Sequence, residues 1–277
     1  GAADGDELGS RELVFRPEGI RGGAYHFKIS TAGSTTLVLQ TVMLALARAK
    51  ESSEIWLEGG THNPMAPPVP YLEKVYLPYL RRMGLALDLE LERHGFAPAG
   101  GGSVRLRVQP GELRPIEVME RGGEVDAAAI ILAAHLDSGI ARREQVVLAK
   151  ELDWPRERIQ LETVSDSLGP GNVILLHGQW EHASEMVTAF GAPGRTAESV
   201  ARQASKAFIR YRNATAPVGR HLADQLLLPL ALAGGGGFRT LPLSEHFETN
   251  RKVIEAFLPV KIETVSESRS SVLVTVR

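Results

Sequence analysis

His221-Leu-Ala-Asp-Gln-Leu-Leu-Leu-Pro229, followed by Phe238-Arg-Thr-Leu241 and His246, is the stretch that organises this chain. It reads as a buried helix over 221–233, a strand over 238–241 and a loop holding His246. A helix over 250–257 and strands at 261–265 and 272–276 follow. The same order occurs once before. A helix opens at Gly33-Ser-Thr-Thr, with Ser34 as N-cap, and Leu37, Leu39, Val42, Leu44 and Leu46 surround it, which predicts burial on most sides. Glu54–Glu58 is then a strand and residues 59–68 form a Gly/Pro loop holding His62. A helix follows with Tyr71, Leu72, Val75, Tyr76 and Tyr79 on its apolar side, stopped at Gly84. Leu85–Leu91 and Val104–Val108 alternate like paired strands. Gln40 precedes His62 by 22 positions, and Gln225 precedes His246 by 21. Two copies of one α/β unit are the simplest account.

Between the copies the character changes, near Arg121-Gly122-Gly123. Residues 124–215 read as an alanine-rich helix containing His135, a strand at Val173–Leu176, and a second long helix. That helix keeps Val200, Ala204, Ala207, Phe208 and Tyr211 at helical spacing. Ahead of the first copy, Leu13–Phe15 and Tyr25–Ile29 read as short strands. The expected division is 1–121 for the first part of a large domain, 122–215 for an inserted small α/β domain, and 216–277 for the large domain's last repeat.

Composition excludes several classes. The 277 residues are 43 % hydrophobic, enough to build a core, so wholesale disorder is out. Lys+Arg is 31 against 33 Asp+Glu, a net charge of −2, which rules out coating nucleic acid by charge alone. Cysteine is absent, removing disulfides, thiolate zinc sites and a cysteine nucleophile. That fits a reducing cytosol and gives a cytoplasmic expectation, nuclear if the source is eukaryotic. The richest apolar run, Leu222–Ala233, is interrupted by Asp224, Gln225 and Pro229, so no membrane span is expected, and no leader peptide is visible.

Chemical candidates are few. Eight histidines are scattered without HExxH or another metal-ligand spacing, and a histidine in isolation is usually packed or solvated. Neither Gly100–Gly102 nor Gly234–Gly237 belongs to a phosphate-cradling motif of the GxxxxGK[ST] type. Asp224 is a lone acid among Leu222, Leu226, Leu227 and Leu228. A charge there costs several kcal/mol unless partnered. Two readings fit it equally, an acid helped by the helix dipole and a ligand contact.

Several blocks then carry a resemblance. Gly33-Ser-Thr-Thr-Leu-Val-Leu-Gln40, Gly59-Gly-Thr-His-Asn-Pro64 with Ala66-Pro-Pro68, and Arg93-His-Gly-Phe96 with Pro98-Ala-Gly-Gly-Gly102 occur in one order with His221–Pro229, Ala231-Leu-Ala-Gly234, His246, Thr249-Asn250 and Phe257-Leu-Pro259. In these the chain resembles the RNA 3′-terminal phosphate cyclases, and Pro170-Gly-Asn172 looks like that family's inserted domain. The resemblance implies an α/β (α+β) fold of repeated units like the C-terminal domain of translation initiation factor three, with a smaller α/β domain inserted before the last unit.

It also implies a reaction of the ligase class. Such cyclases use ATP to convert an RNA 3′-phosphate into a 2′,3′-cyclic phosphate. A histidine holds AMP as a phosphoramidate, the AMP passes to the RNA 3′-phosphate, and the neighbouring 2′-OH closes the ring. The match places the nucleophile at His246. It places nucleotide contacts at Gln40, at Pro67, and along the run His221, Leu222, Ala223, Asp224 and Gln225, with His221 standing where many relatives have Tyr. A divalent metal, Mg or Mn, is expected to neutralise the triphosphate, although no complete metal site can be read from the chain. Arg21, Arg81, Arg82, Arg210, Arg212 and Arg220 are candidates for RNA backbone contacts.

The family's glycine-rich first unit has no counterpart, so the chain reads as a member lacking its first repeat. Such a loss exposes an apolar flank, and pairing into a homo-oligomer is an expectation. The alternative function is a non-catalytic RNA-processing or ribosome-assembly relative with the same fold. Its sign would be loss of the nucleophile, and His246 is present.

Overall fold

Four helices begin where the sequence offers a short polar side chain to their unsatisfied N–H groups. In the computed structural model, which describes residues 1–277, Ser34 accepts from Leu37 N, Asp137 from Gly139 N, Thr196 from Ser199 N and Ser244 from Phe247 N. The chain starts with strands β1 (Ala2–Asp4), β2 (Val14–Arg16) and β3 (Gly23–Lys28). Helix α1 (Thr35–Leu46) and strand β4 (Ser53–Gly59) follow. Helix α2 (Val69–Tyr71) runs through a π turn at Leu72–Tyr76 into α3 (Leu77–Arg82). Strands β5 (Leu87–Arg93), β6 (Gly102–Val108) and β7 (Glu117–Val118) come next.

The middle unit holds β8 (Glu124–Ala134), α4 (Ser138–Leu152), β9 (Ile159–Val164), β10 (Gly171–Trp180), β11 (Ser184–Phe190) and α5 (Ala197–Asn213). Last are α6 (Arg220–Leu232), β12 (Gly236–Thr240), α7 (Glu245–Phe257), β13 (Ile262–Ser266) and β14 (Val272–Val276).

The repeat is explicit in the sheets. One has the order β3-β4-β6-β5, the other β7-β12-β14-β13. In each, a strand pairs in parallel with the strand that follows the first helix, and two antiparallel strands complete the sheet. Both are βαβαββ units, and residues 124–213 lie in the chain between β7 and α6 of the second.

The middle unit has its own sheet, β11-β10-β8-β9. One face (Ala129, Ile131, Ile174, Leu176, Ala189) packs under α4 and α5 in a core that includes Trp154 and Phe208. The other face (Leu132, Val173, Leu175, Met186) joins the main core shared by the two repeats. Burial on both faces explains the apolar run of β10.

Three local expectations are corrected. The alanine-rich segment is the strand β8, and His135 ends it at φ +49 with its Nε2 donating to Ser167 O at 2.8 Å. Alanine favours helix, but here β8 lies between two partner strands, and its small side chains pack beneath α4. Leu37 is exposed, because α1 buries only the face of Leu39, Met43, Leu44 and Leu46. Finally, His246 lies in the first turn of α7, not in the preceding loop, because Ser244 caps that helix.

Candidate functional site

The second repeat builds the site from α6 and α7. Leu222 and Ala223 are fully buried, so they anchor α6 and their side chains face the core. One step round the helix, Asp224 and Gln225 are half-buried at the edge of that core, and His221 is exposed. Helix α7 is tied to α6 by Asn250, whose Nδ2 donates to Asp224 O at 2.8 Å. Phe247 is completely buried and holds the first turn of α7 in place, which leaves its neighbour His246 exposed.

Three predicted residues act on one another electrostatically. Burial pushes the Asp224 carboxyl up to about 6, and the charge of His246 opposes that rise. Although His221 is exposed as a residue, desolvation of the part of its ring turned to the protein lowers it, with further depression from Arg220 and from His246. A carboxylate, an imidazole held towards its neutral form and an exposed imidazole therefore share one end of the α6–α7 pair. The Gln225 Oε1 is buried and has no partner in the protein.

Gln40 and Pro67 form a second group. Thr36 Oγ1 donates to Pro67 O at 2.7 Å, and Gln40 lies one turn further along the same face of α1. Asn63 Nδ2 donates to Ala32 O at 2.5 Å, so the loop is pinned at both ends to the start of α1. Tyr71, four residues beyond Pro67 in the chain, feels the charge of Asp224. Its hydroxyl is buried without a partner, and its pKa is raised well above the usual phenol value by burial and by the charges of Glu185 and Asp224.

The corresponding histidine of the first repeat has a different fate. His62 is buried, its Nδ1 lies 2.8 Å from Thr61 Oγ1, and its Nε2 has no partner. Burial, helped by the charge of His94, lowers its pKa to about 3, so it is neutral throughout the ordinary pH range. Its ring stacks on His94 at 5.3 Å, and His94 Nδ1 lies 3.0 Å from Asp166 Oδ1. This group joins the loop at residues 93–102 to the middle unit. That imidazole is enclosed by protein, whereas His246 is exposed.

Half of the predicted basic contacts are already engaged. Arg81 donates to Leu87 O, and Arg82 donates to His182 O and lies over the Tyr79 ring. Arg212 pairs with Glu124 at 2.8 Å. No three acidic or histidine side chains gather into a metal-binding group. Clefts lined by Tyr79, Arg82, Gln179 and His182, and by Arg121, Thr215, Arg239 and Glu267, hold none of the predicted catalytic or nucleotide-contacting residues. Sequence reading overlooked Tyr71 as a polar group and Glu185 altogether, because each lies in an apolar pattern whose burial becomes visible only in three dimensions. No helix is long and apolar enough to cross a membrane.

The family model for RNA 3′-terminal phosphate cyclase matches residues 1–264. A protein of Pseudomonas fluorescens named RNA 3′-terminal phosphate cyclase is 49 % identical over 259 residues, covering 94 % of this chain and 76 % of its own length. Proteins of the same name from Koribacter versatilis and Salmonella enteritidis are each 44 % identical, over 95 % and 93 % of this chain and 74 % and 76 % of their own. The chain thus spans about three quarters of the length of these relatives. A match over nearly every residue, carried through both repeats and the middle unit, shows that the chain belongs to the RNA 3′-terminal phosphate cyclase family.

Proposed function

We propose that this protein converts RNA 3′-terminal phosphates into 2′,3′-cyclic phosphates in an ATP-dependent reaction passing through AMP on His246. The observation that carries the reading is the placement of His246, exposed at the start of α7 and coupled to Asp224 and His221. A ring nitrogen of His246 attacks the α-phosphorus of ATP. A P–N bond forms, the P–O bond to the β-phosphate breaks, and pyrophosphate leaves. An oxygen of the RNA 3′-phosphate then attacks the same phosphorus and displaces the imidazole, giving an RNA end carrying AMP. The 2′-OH attacks the 3′-phosphorus, AMP departs with the bridging oxygen, and the hydroxyl proton passes to a base. Adenylation makes this closure possible, because AMP is a far better leaving group than an oxide or hydroxide.

The side chains fit these roles. A neutral imidazole is nucleophilic near pH 7 and forms a reversible P–N bond. The Asp224 carboxylate and the unpartnered Gln225 Oε1 are acceptors suited to ribose hydroxyls or an adenine amine. His221 offers an exposed ring for stacking, Pro67 an apolar wall and Gln40 an amide. Leu222 and Ala223 contribute backbone only. A divalent metal, Mg or Mn, would neutralise the triphosphate when bound, and one carboxylate with phosphate oxygens is a donor set such ions use. Asp224 is the carboxylate able to supply it.

The test uses RNA with a radiolabelled 3′-terminal phosphate. With ATP and Mg the label should become resistant to phosphatase, and RNA ending in a 3′-hydroxyl should not respond. Binding without conversion, in a folded protein, would favour the non-catalytic relative.

A further inference from the structure

The net charge of −2 hides a segregated distribution. Helices α4 and α5 lie side by side over one face of the middle sheet, and their far side is open to solvent. Arg142, Arg143 and Lys150 are exposed on α4, and Arg202, Lys206 and Arg210 on α5. The acids of these two helices that reach the surface are Glu151 and Glu198.

Within that surface α5 carries a row. Arg202, Lys206 and Arg210 stand four residues apart on one side of the helix, about 6 Å from each to the next along its axis. Like charges at this spacing weaken a helix. Glu198, one turn before Arg202, pairs with Arg143 at 3.5 Å instead. Arg202 meets Glu151 at a limiting 4.0 Å, and Arg212 is taken by Glu124, which leaves Lys206 and Arg210 unpaired. Attraction to the C-terminal end of the helix dipole accounts for Arg210 in the last turn, but Arg202 and Lys206 lie in the middle of α5, beyond its reach.

The row runs towards the candidate site. Tyr211, the next residue after Arg210, donates its hydroxyl to Pro217 O at 2.7 Å. Arg121 holds the carbonyls of Tyr211 and Arg212. The end of α5 is thereby fastened to the segment that leads into α6, where Arg220 and His221 are exposed.

We infer that Arg202, Lys206 and Arg210 form a track for the phosphates of single-stranded RNA, upstream of the 3′ end. The choice of RNA rests on the cyclase reading, which puts that 3′ end at α6 and α7; the uncompensated charge does not. A straight row of single cations at regular spacing complements a linear polyanion. Phosphate contacts carry no base information, so the track is indifferent to sequence.

The experiment compares wild type, R202Q/K206Q and R202E/K206E. Glutamine is a good helix former, so the urea midpoint of the first variant should hold. The probes are an oligouridylate and an oligoadenylate of about 20 nucleotides and a dinucleotide, all ending in a 3′-phosphate. Affinity is read by fluorescence anisotropy across a salt series, beside the KM and maximal rate of cyclisation and self-labelling by α-labelled ATP. R202Q/K206Q should weaken binding of both long RNAs about tenfold at about 0.1 M salt and flatten the dependence of log affinity on log salt by about 1.4. R202E/K206E should lose more. The KM for long RNA should rise by the same factor at an unaltered maximal rate. The KM for the dinucleotide, too short to reach the row, and self-labelling should stay at wild-type values. Unchanged affinity and salt dependence for long RNA, or equal losses for long and short RNA, would overturn the inference. So would loss of binding to phosphatidylserine vesicles with RNA binding intact, which would give the face to anionic lipid. A wild type that binds long RNA through this row without cyclising it would overturn the cyclase reading and leave the track standing.

Discussion

Asp224→Asn should make the folded protein more stable and less able to hold nucleotide. Asp224 sits beyond the first turn of α6, and burial raises its carboxyl from the ordinary 3.8 to about 6. The folded state therefore holds the proton more tightly than the unfolded one. Stability falls as pH rises from about 4 through about 6 and stays lowered above it. At about 1.4 kcal/mol for each tenfold change in proton affinity, the ionised carboxylate costs about 3 kcal/mol at pH 8 and about half that at pH 5. Asparagine has nearly the same shape and no charge, so it avoids the cost. Urea unfolding of both proteins at pH 8 and pH 5 should show a gain of up to about 3 kcal/mol, shrinking at the lower pH. ATP affinity at pH 8 should fall. Such a residue would be retained for function against stability. A variant less stable than wild type at pH 8, or a gain independent of pH, would refute the reasoning and restore Asp224 to a simple helix-dipole role.

Ser244→Ala removes the oxygen that accepts from Phe247 N at 3.1 Å and should cost about 1 kcal/mol in urea unfolding. It should also slow labelling, because His246 is the second residue of that helix; Ser244→Asp should retain both. Gly171→Ala drives a β-carbon into the Phe96 ring and should cost about 1–3 kcal/mol in thermal unfolding, relieved by Phe96→Leu. Hydrogen bonds from His94 hold the Asp166 carboxyl below its usual value against an opposing burial effect. Its contribution is present above the unfolded value and lost as pH falls through the folded one. Asp166→Asn should therefore lower the urea midpoint slightly at pH 7, with the difference shrinking as pH falls through the depressed value of the folded state.

Much of the architecture was readable because its signals are local. Ser34 begins a helix and the alternation of Val104–Val108 makes a strand without help from elsewhere in the chain. The return of that order after Gly219 exposed the repeat. Ala127-Ala128-Ala129 misled because alanine's helical preference is weak beside two flanking strands, which no local pattern shows. His246 reads as a loop residue unless Ser244, three residues before Phe247, is taken as a helix cap. His62 and His246 occupy similar places in the two repeats, yet one is enclosed by Thr61, His94 and Phe96 and the other is open. That difference arises from long-range packing. Glu185 carries no local signal, since its burial on β11 arises from packing between elements.

The central claim is the covalent histidine, and it is tested most directly by incubating the protein with α-labelled ATP and Mg, then separating it under denaturing conditions. Wild type should carry a label that is lost in acid and stable in alkali, as a phosphoramidate is, and His246→Ala should carry none. A label that persists in His246→Ala, or no label on a folded wild type that binds ATP, would contradict the account.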